Sequence, residues 1–228
     1  MEPHPRLLPI PGGTFQMGKE GSRADETPVH TVTVSPFRAA ESPVTNAEYA
    51  AFVQATGAAQ PPFAREARFA APSLPVVGIN WFDATAYCEW LSERTGIRFR
   101  LPTEAEREFA ALGGQDLGDW PWHGENTDFV AWVNSLDGPH APSERCANGF
   151  GLRCMAENVH EWCLDWYDPR YYAISPSENP HCDVQSRRRT SRGGAWRHRD
   201  KTTRVNARSS LDPTFRYADY GFRVYADG

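Results

Sequence analysis

From residue 115 onward the chain loses periodicity. Roughly half of its 228 residues form a stretch punctuated by Gly, Pro, Asn and Trp, with no long amphipathic run. Long irregular segments inside a compact protein need anchors, because their backbone polar groups and flexible loops are costly to bury unsupported. Eight Trp, each able to bury a large apolar area, are suited to that task. The first half is different. Thr45-Asn46-Ala47-Glu48 is a capping box, followed by Tyr49, Phe52 and Val53 at helical spacing and by Gly57 as a stop. Ala84, Tyr87, Cys88 and Leu91 share one face of a helix over 83–94, ended by Gly96. Thr103-Glu104-Ala105-Glu106 opens a third, short helix that stops at Gly113-Gly114. Strands are predicted at Leu7–Ile10, Thr14–Met17 and Thr31–Val34, and later near Thr190–Gly194 and Gly221–Tyr225.

Charge is distributed unevenly. Of 24 basic residues, 22 are Arg, and only Lys19 and Lys201 are Lys. Residues 187–208 hold nine cationic side chains against Asp200 alone, a net +8 inside a chain of net −5. In an acidic chain these arginines are expected to pair with acids elsewhere in the fold. Nucleic acid binding rests on this stretch alone and is the weakest functional reading. No window approaches the ~18 apolar residues of a membrane span, so no membrane partner is expected. The first six residues lack the charged and apolar regions of a secretory signal. Five cysteines in a chain of this size do not make a disulfide scaffold, and are read as reduced thiols of a cytoplasmic protein.

Eight strings recur in a recognisable order. They are Pro11 to Gly18, Pro43 to Tyr49, Pro75 to Trp81, Arg100 to Glu106 and Asn148 to Leu152, then Glu157-Asn158-Val159-His160-Glu161-Trp162, Arg192-Gly193-Gly194-Ala195-Trp196 and Gly221-Phe222-Arg223. Together they resemble the formylglycine-generating enzyme family, also called the sulfatase-modifying-factor family. The resemblance implies one α+β domain over 1–228 with a C-type-lectin-like fold: a small twisted antiparallel sheet, two main helices and much irregular loop. It also implies that Arg204, Arg208, Arg216 and Arg223 match recurring arginines whose planar forks tie loops together.

The family enzymes oxidise a peptide cysteine with oxygen and one copper ion held by two cysteines. Two soft thiolates suit Cu(I). The resemblance places those cysteines at His198 and Thr203 here, and no cysteine follows Cys182. Copper is therefore not expected, and neither is formylglycine synthase activity. His160 and Arg107 stand where the family has Trp. His160 and His198 are the candidate catalytic residues. Trp196, Arg197, His198, Arg199 and Arg204 form the candidate ligand-binding set, a cationic and aromatic group suited to a peptide or protein partner or a small anionic ligand. Arg199 and Arg204 have an alternative, structural reading.

The resemblance further implies calcium, with Asn134, Ser135 and Asp137 at one site and Asn158 at a second, where Cys154 stands in place of an oxygen ligand and Glu157 in place of Gly. Asn134 and Asn158 have the alternative role of capping loop backbone. His140, Cys146, Cys154, His160, Cys163, His181 and Cys182 are dense in sequence, but none has the paired spacing of a zinc knuckle, so no functional metal cluster is expected there. Cys88 and Cys163 read as buried thiols, and a Cys146–Cys154 contact is open. Two functions follow. The first is a ligand-binding module or pseudoenzyme. The second is a divergent oxygen-dependent oxidoreductase with a partner chain or a non-cysteine metal site, as in family relatives that tailor pyoverdine or make ergothioneine.

Overall fold

A computed structural model describes residues 4–114, 127–143, 147–198 and 202–228, with side chains given from 131 in the second segment. In chain order the elements are β1 (Leu7–Ile10), β2 (Gly13–Met17), β3 (His30–Val34), β4 (Phe37–Ala40), α1 (Asn46–Thr56), α2 (Trp81–Thr95), β5 (Phe99–Arg100), α3 (Glu104–Leu112) and α4 (Thr127–Asn134). They continue with β6 (His160–Trp166), β7 (Arg189–Arg192), β8 (Ser209–Leu211), β9 (Tyr220–Gly221) and β10 (Tyr225–Asp227).

Local chemistry explains the helices. Thr45 with Glu48 and Thr103 with Glu106 form complete capping boxes. α2 begins two residues before the expected start because Asn80 and Asp83 form a third box, which puts Trp81 inside the first turn. Gly57, Gly96 and Gly113 end the three helices in the left-handed conformation.

Among the described residues the strands form three sheets. One is antiparallel, in the order β1-β4-β10-β5, and joins both ends of the chain. β2 and β3 make a hairpin-like pair. The third has the order β8-β7-β6-β9, and its β6–β9 pair is parallel, a departure from the expected antiparallel sheet. The predicted strand over 221–225 is in fact two: β9 serves the third sheet and β10 the first. Phe222 and Val224, both fully buried, cross between them. The predicted 190–194 strand stops at Arg192, because Gly193 and Gly194 both take positive φ. A Cβ on Gly193 would sit 2.8 Å from the Arg107 guanidinium.

The Trp side chains anchor loops as expected. Trp162 is fully buried and donates to the Ile79 carbonyl at 2.8 Å; Trp81 donates to the Cys163 carbonyl at 2.8 Å. The Arg189 guanidinium lies 3.9 Å from the ring centre of Trp81 and 3.6 Å from that of Trp166, and donates to the Leu164 carbonyl.

Much of the arginine excess is structural. Glu161, fully buried, accepts from Arg107 Nε at 2.8 Å and from Arg223 Nη2 at 2.9 Å. Glu104 takes both nitrogens of a fork from Arg208, at 2.8 and 2.9 Å, and lies 3.1 Å from Arg192 Nε. Arg192 also bonds Glu108. Burial alone would raise the Glu161 carboxyl, but the two guanidiniums hold it below the usual carboxylate range. Removing one partner of such a set leaves an uncompensated buried charge. Arg223→Met is expected to cost about 3–5 kcal/mol in urea unfolding, against less than ~1 kcal/mol for Arg6→Met at the exposed Arg6–Glu41 pair.

Candidate functional site

The candidate site is an open cavity of about 480 Å³ beside the parallel β6–β9 pair. His160, Tyr220, His198 and Asp219 meet in its lining. His160 is the first residue of β6, pairs with Tyr220, and donates its backbone N–H to the Asp219 carbonyl at 2.8 Å. Side chains alternate along a strand. Glu161 therefore enters the arginine network while His160 lines the cavity. The His160 ring stacks on Tyr220, with ring centres 4.8 Å apart. His198 reaches the same point from the loop after β7, its backbone N–H held by the Ala195 carbonyl at 2.8 Å. His160 Nε2 and His198 Nδ1 are 3.0 Å apart, and His198 Nε2 lies 3.9 Å from an Asp219 carboxylate oxygen.

Burial pushes His160 down to about 3, helped by the charges of its neighbours. Burial also lowers His198, against the pull of Asp219. Both rings are therefore neutral at pH 7, and one N–H is shared between them. His160 Nδ1 is buried and has no hydrogen-bond partner. Arg23, Arg188 and Arg197 add cationic side chains to the lining. Arg188 holds the Ser210 carbonyl at 2.7 Å, while Arg197 is half-exposed, 3.7 Å from Asp219.

The expected ligand set divides. Arg197 and His198 line the cavity, with His160. Trp196 does not; it is buried against Phe69 and holds the Ala218 carbonyl at 3.5 Å. Arg204 turns the other way, forking onto Glu26 at 2.9 Å through both nitrogens, which is the structural role. Arg199 and Cys146 lie outside the described residues. Asp219, Tyr220, Arg23 and Arg188 were not anticipated. Asp219 lies two residues before the Gly221-Phe222-Arg223 string, and only the β6–β9 pairing brings it to His160.

The calcium candidates are placed as follows. Ser135 Oγ donates to the Trp132 carbonyl at 2.7 Å, Asn134 is exposed, and the Asp137 side chain is 97% exposed, 3.9 Å from Arg68. Asn158 is fully buried, and both polar atoms of its amide are engaged by the His140 backbone, at 2.8 and 3.1 Å. Its amide thus performs the capping role. Of the Cys and His residues dense in this part of the sequence, His140 and Cys154 meet Glu157, with donor atoms within 4.8 Å of one another. Their irregular spacing hid this, and Glu157 was not considered as a ligand. Burial pushes the Cys88 and Cys163 thiols up, and Cys182 to about 11.

The model of the sulfatase-modifying factor enzyme 1-like domain matches residues 1–227. The chain belongs to the formylglycine-generating enzyme family. It is 37% identical to a formylglycine-generating enzyme of Streptomyces coelicolor over 96% of this chain and 88% of that one. It is also 33% identical to the serine/threonine-protein kinase pkn1 of Chlamydia pneumoniae, of which it spans 39%. Among solved structures it is similar to PvdO from Pseudomonas aeruginosa, with a TM-score of 0.85, 27% identity and coverage of 98% and 95% of the two chains. Treponema denticola variable protein 1 gives a TM-score of 0.82 at 25% identity, over 97% and 95%. The fold is thus the α+β, C-type-lectin-like fold of the family.

No cysteine follows Cys182 in the sequence, and none of the described cysteines lines the cavity, so no thiolate pair of the kind that suits Cu(I) faces it there.

The lowered His160 value has a consequence for acid stability. The unfolded chain takes up a proton near 6.5 and the folded chain only near 3, so stability falls as pH drops through that window. A His160→Phe variant lacks this loss. The wild-type unfolding free energy is expected to fall relative to the variant by up to about 1.4 kcal/mol per pH unit below 6.5. Parallel curves in denaturant titrations would show that His160 takes up its proton without unfolding the chain.

Proposed function

We propose that the cavity over His160 and His198 is a recognition site for a small anionic group, such as the carboxylate or phosphate of a peptide, and that the chain is a binding module or pseudoenzyme. The observation that carries this reading is the lining itself. Arg23, Arg188 and Arg197 line the cavity around a neutral imidazole pair. Guanidinium groups bind oxyanions through paired, charge-assisted hydrogen bonds. The neutral histidines contribute one shared N–H and no charge of their own. The buried thiols of Cys88, Cys163 and Cys182 fit a reducing, cytoplasmic setting.

One observation favours a second reading. His160, His198 and Asp219 offer two imidazoles and one carboxylate whose donor atoms lie within 4.8 Å of one another. Such a set, with open positions on the cavity side, suits a non-haem Fe(II) centre. That would make the chain a divergent oxygen-dependent oxidoreductase of the same family.

Calorimetric titration with phosphorylated and carboxylate-terminated peptides, run beside metal analysis and oxygen uptake, separates the two. The binding reading expects Arg197→Ala to weaken peptide affinity by about tenfold, or ~1.4 kcal/mol, with unchanged thermal unfolding and no oxygen consumption. Stoichiometric iron lost on His198→Ala, together with peptide-dependent oxygen uptake, would replace it with the oxidoreductase reading.

A further inference from the structure

A second cluster stands apart from the cavity. Cys154 and Glu157 are each 1% exposed, and the His140 side chain is 10% exposed. The fold positions each of them. Asn158, fully buried, clamps His140 by accepting from its N–H at 3.1 Å and donating to its carbonyl at 2.8 Å. The His140 ring lies across Trp132, with ring centres 4.6 Å apart. Cys154 takes a positive φ of 59°, a conformation uncommon for a residue with a side chain.

The arrangement of donor atoms suits a cation. His140 Nδ1 lies 3.1 Å from the Ala141 carbonyl, which can only accept, so Nδ1 carries the proton. In the neutral ring Nε2 then presents a lone pair. It faces Glu157 Oε1 at 3.4 Å. The other Glu157 oxygen accepts from the Ala156 N–H at 3.2 Å, but buried Oε1 has no hydrogen-bond partner. Two lone pairs thus converge in a buried site, with the Cys154 sulfur inside the same 4.8 Å group. A metal ion between them uses all three donors.

We propose that His140, Cys154 and Glu157 form a binding site for a borderline-soft divalent ion of the zinc class. Two tetrahedral donors on zinc, with arms of about 2.1 Å, stand about 3.4 Å apart. The His140–Glu157 separation has that value. A small rotation of Cys154 completes a three-donor set, with water in the fourth position. Thiolate and imidazole select zinc over calcium, which takes oxygen ligands. The ion ties the loop after α4 to the segment leading into β6, and so supports the strand that carries His160 and Glu161.

The test uses the full chain, purified without chelators. Elemental analysis is expected to find one zinc per chain. Glu157→Gln and Cys154→Ser are each expected to reduce retained zinc by at least about tenfold, whereas His198→Ala in the cavity keeps it. A metal-stripped wild-type chain titrated with Co²⁺ is expected to develop a sulfur-to-cobalt absorption band in the near ultraviolet, abolished by Zn²⁺. This readout holds even where a variant fails to fold. A wild-type chain that takes up neither ion would overturn the site and leave a His140–Glu157 ion pair. So would cobalt spectra without a sulfur band, or zinc that survives Cys154→Ser. Each of these results leaves the peptide-binding reading of the cavity intact.

Discussion

The carboxylate of Glu161 is the tie on which the rest of this structure depends. It sits in β6 and accepts from Arg107 of α3 and from Arg223 between β9 and β10. Each arginine also donates to backbone carbonyls: Arg107 Nη2 to Met155 at 2.7 Å, Arg223 Nη1 to Ala40 at 2.8 Å and Arg223 Nη2 to Arg153 at 2.6 Å. One buried anion therefore joins two sheets, a helix and an irregular loop. Burying these charges is costly, and only a nearly complete set of partners offsets the cost. An apolar contact of the same size would not specify where each loop carbonyl must lie.

This tie sets the cavity. Glu161 is pulled into the network, so its neighbour His160 faces the other side of β6, against Tyr220 and His198. The parallel β6–β9 pairing then delivers Asp219 to the same place. The same burial that packs His160 keeps it neutral, which suits a hydrogen-bonding or metal-ligating role better than a charged one. The Arg192–Glu104–Arg208 set performs the same task further along β7, which leaves Arg197 and Arg188 as cationic groups facing the cavity.

Legibility in the sequence followed range. The Thr45 and Thr103 capping boxes and their Gly stops were readable because each is decided within four residues. The Asn80 box was missed, although its Asn-x-x-Asp pattern was present. β4 and β6 were not predicted, and the segment over 221–225 was read as one strand where it serves two sheets. Strand pairing is a long-range choice that local pattern does not encode. Among the cavity residues, His160 lies inside a family string, and Arg197 and His198 directly follow the string that ends at Trp196. Trp196 belongs to that string and Arg204 lies a few residues beyond it, yet their side chains point into packing and into Glu26. No sequence pattern distinguishes the two directions.

By itself the sequence determined the family, the capped helices, the Trp-anchored loops and the lack of any cysteine after Cys182. Each of these is a matter of residue identity or of local hydrogen bonding. The tertiary structure alone decided which arginines are consumed by carboxylates and which face solvent. It also decided that His160, His198 and Asp219 meet, and that His140, Cys154 and Glu157 meet. Both clusters join residues from segments whose approach is set by sheet pairing and by buried charge, and those energies exist only once the distant partners are in place.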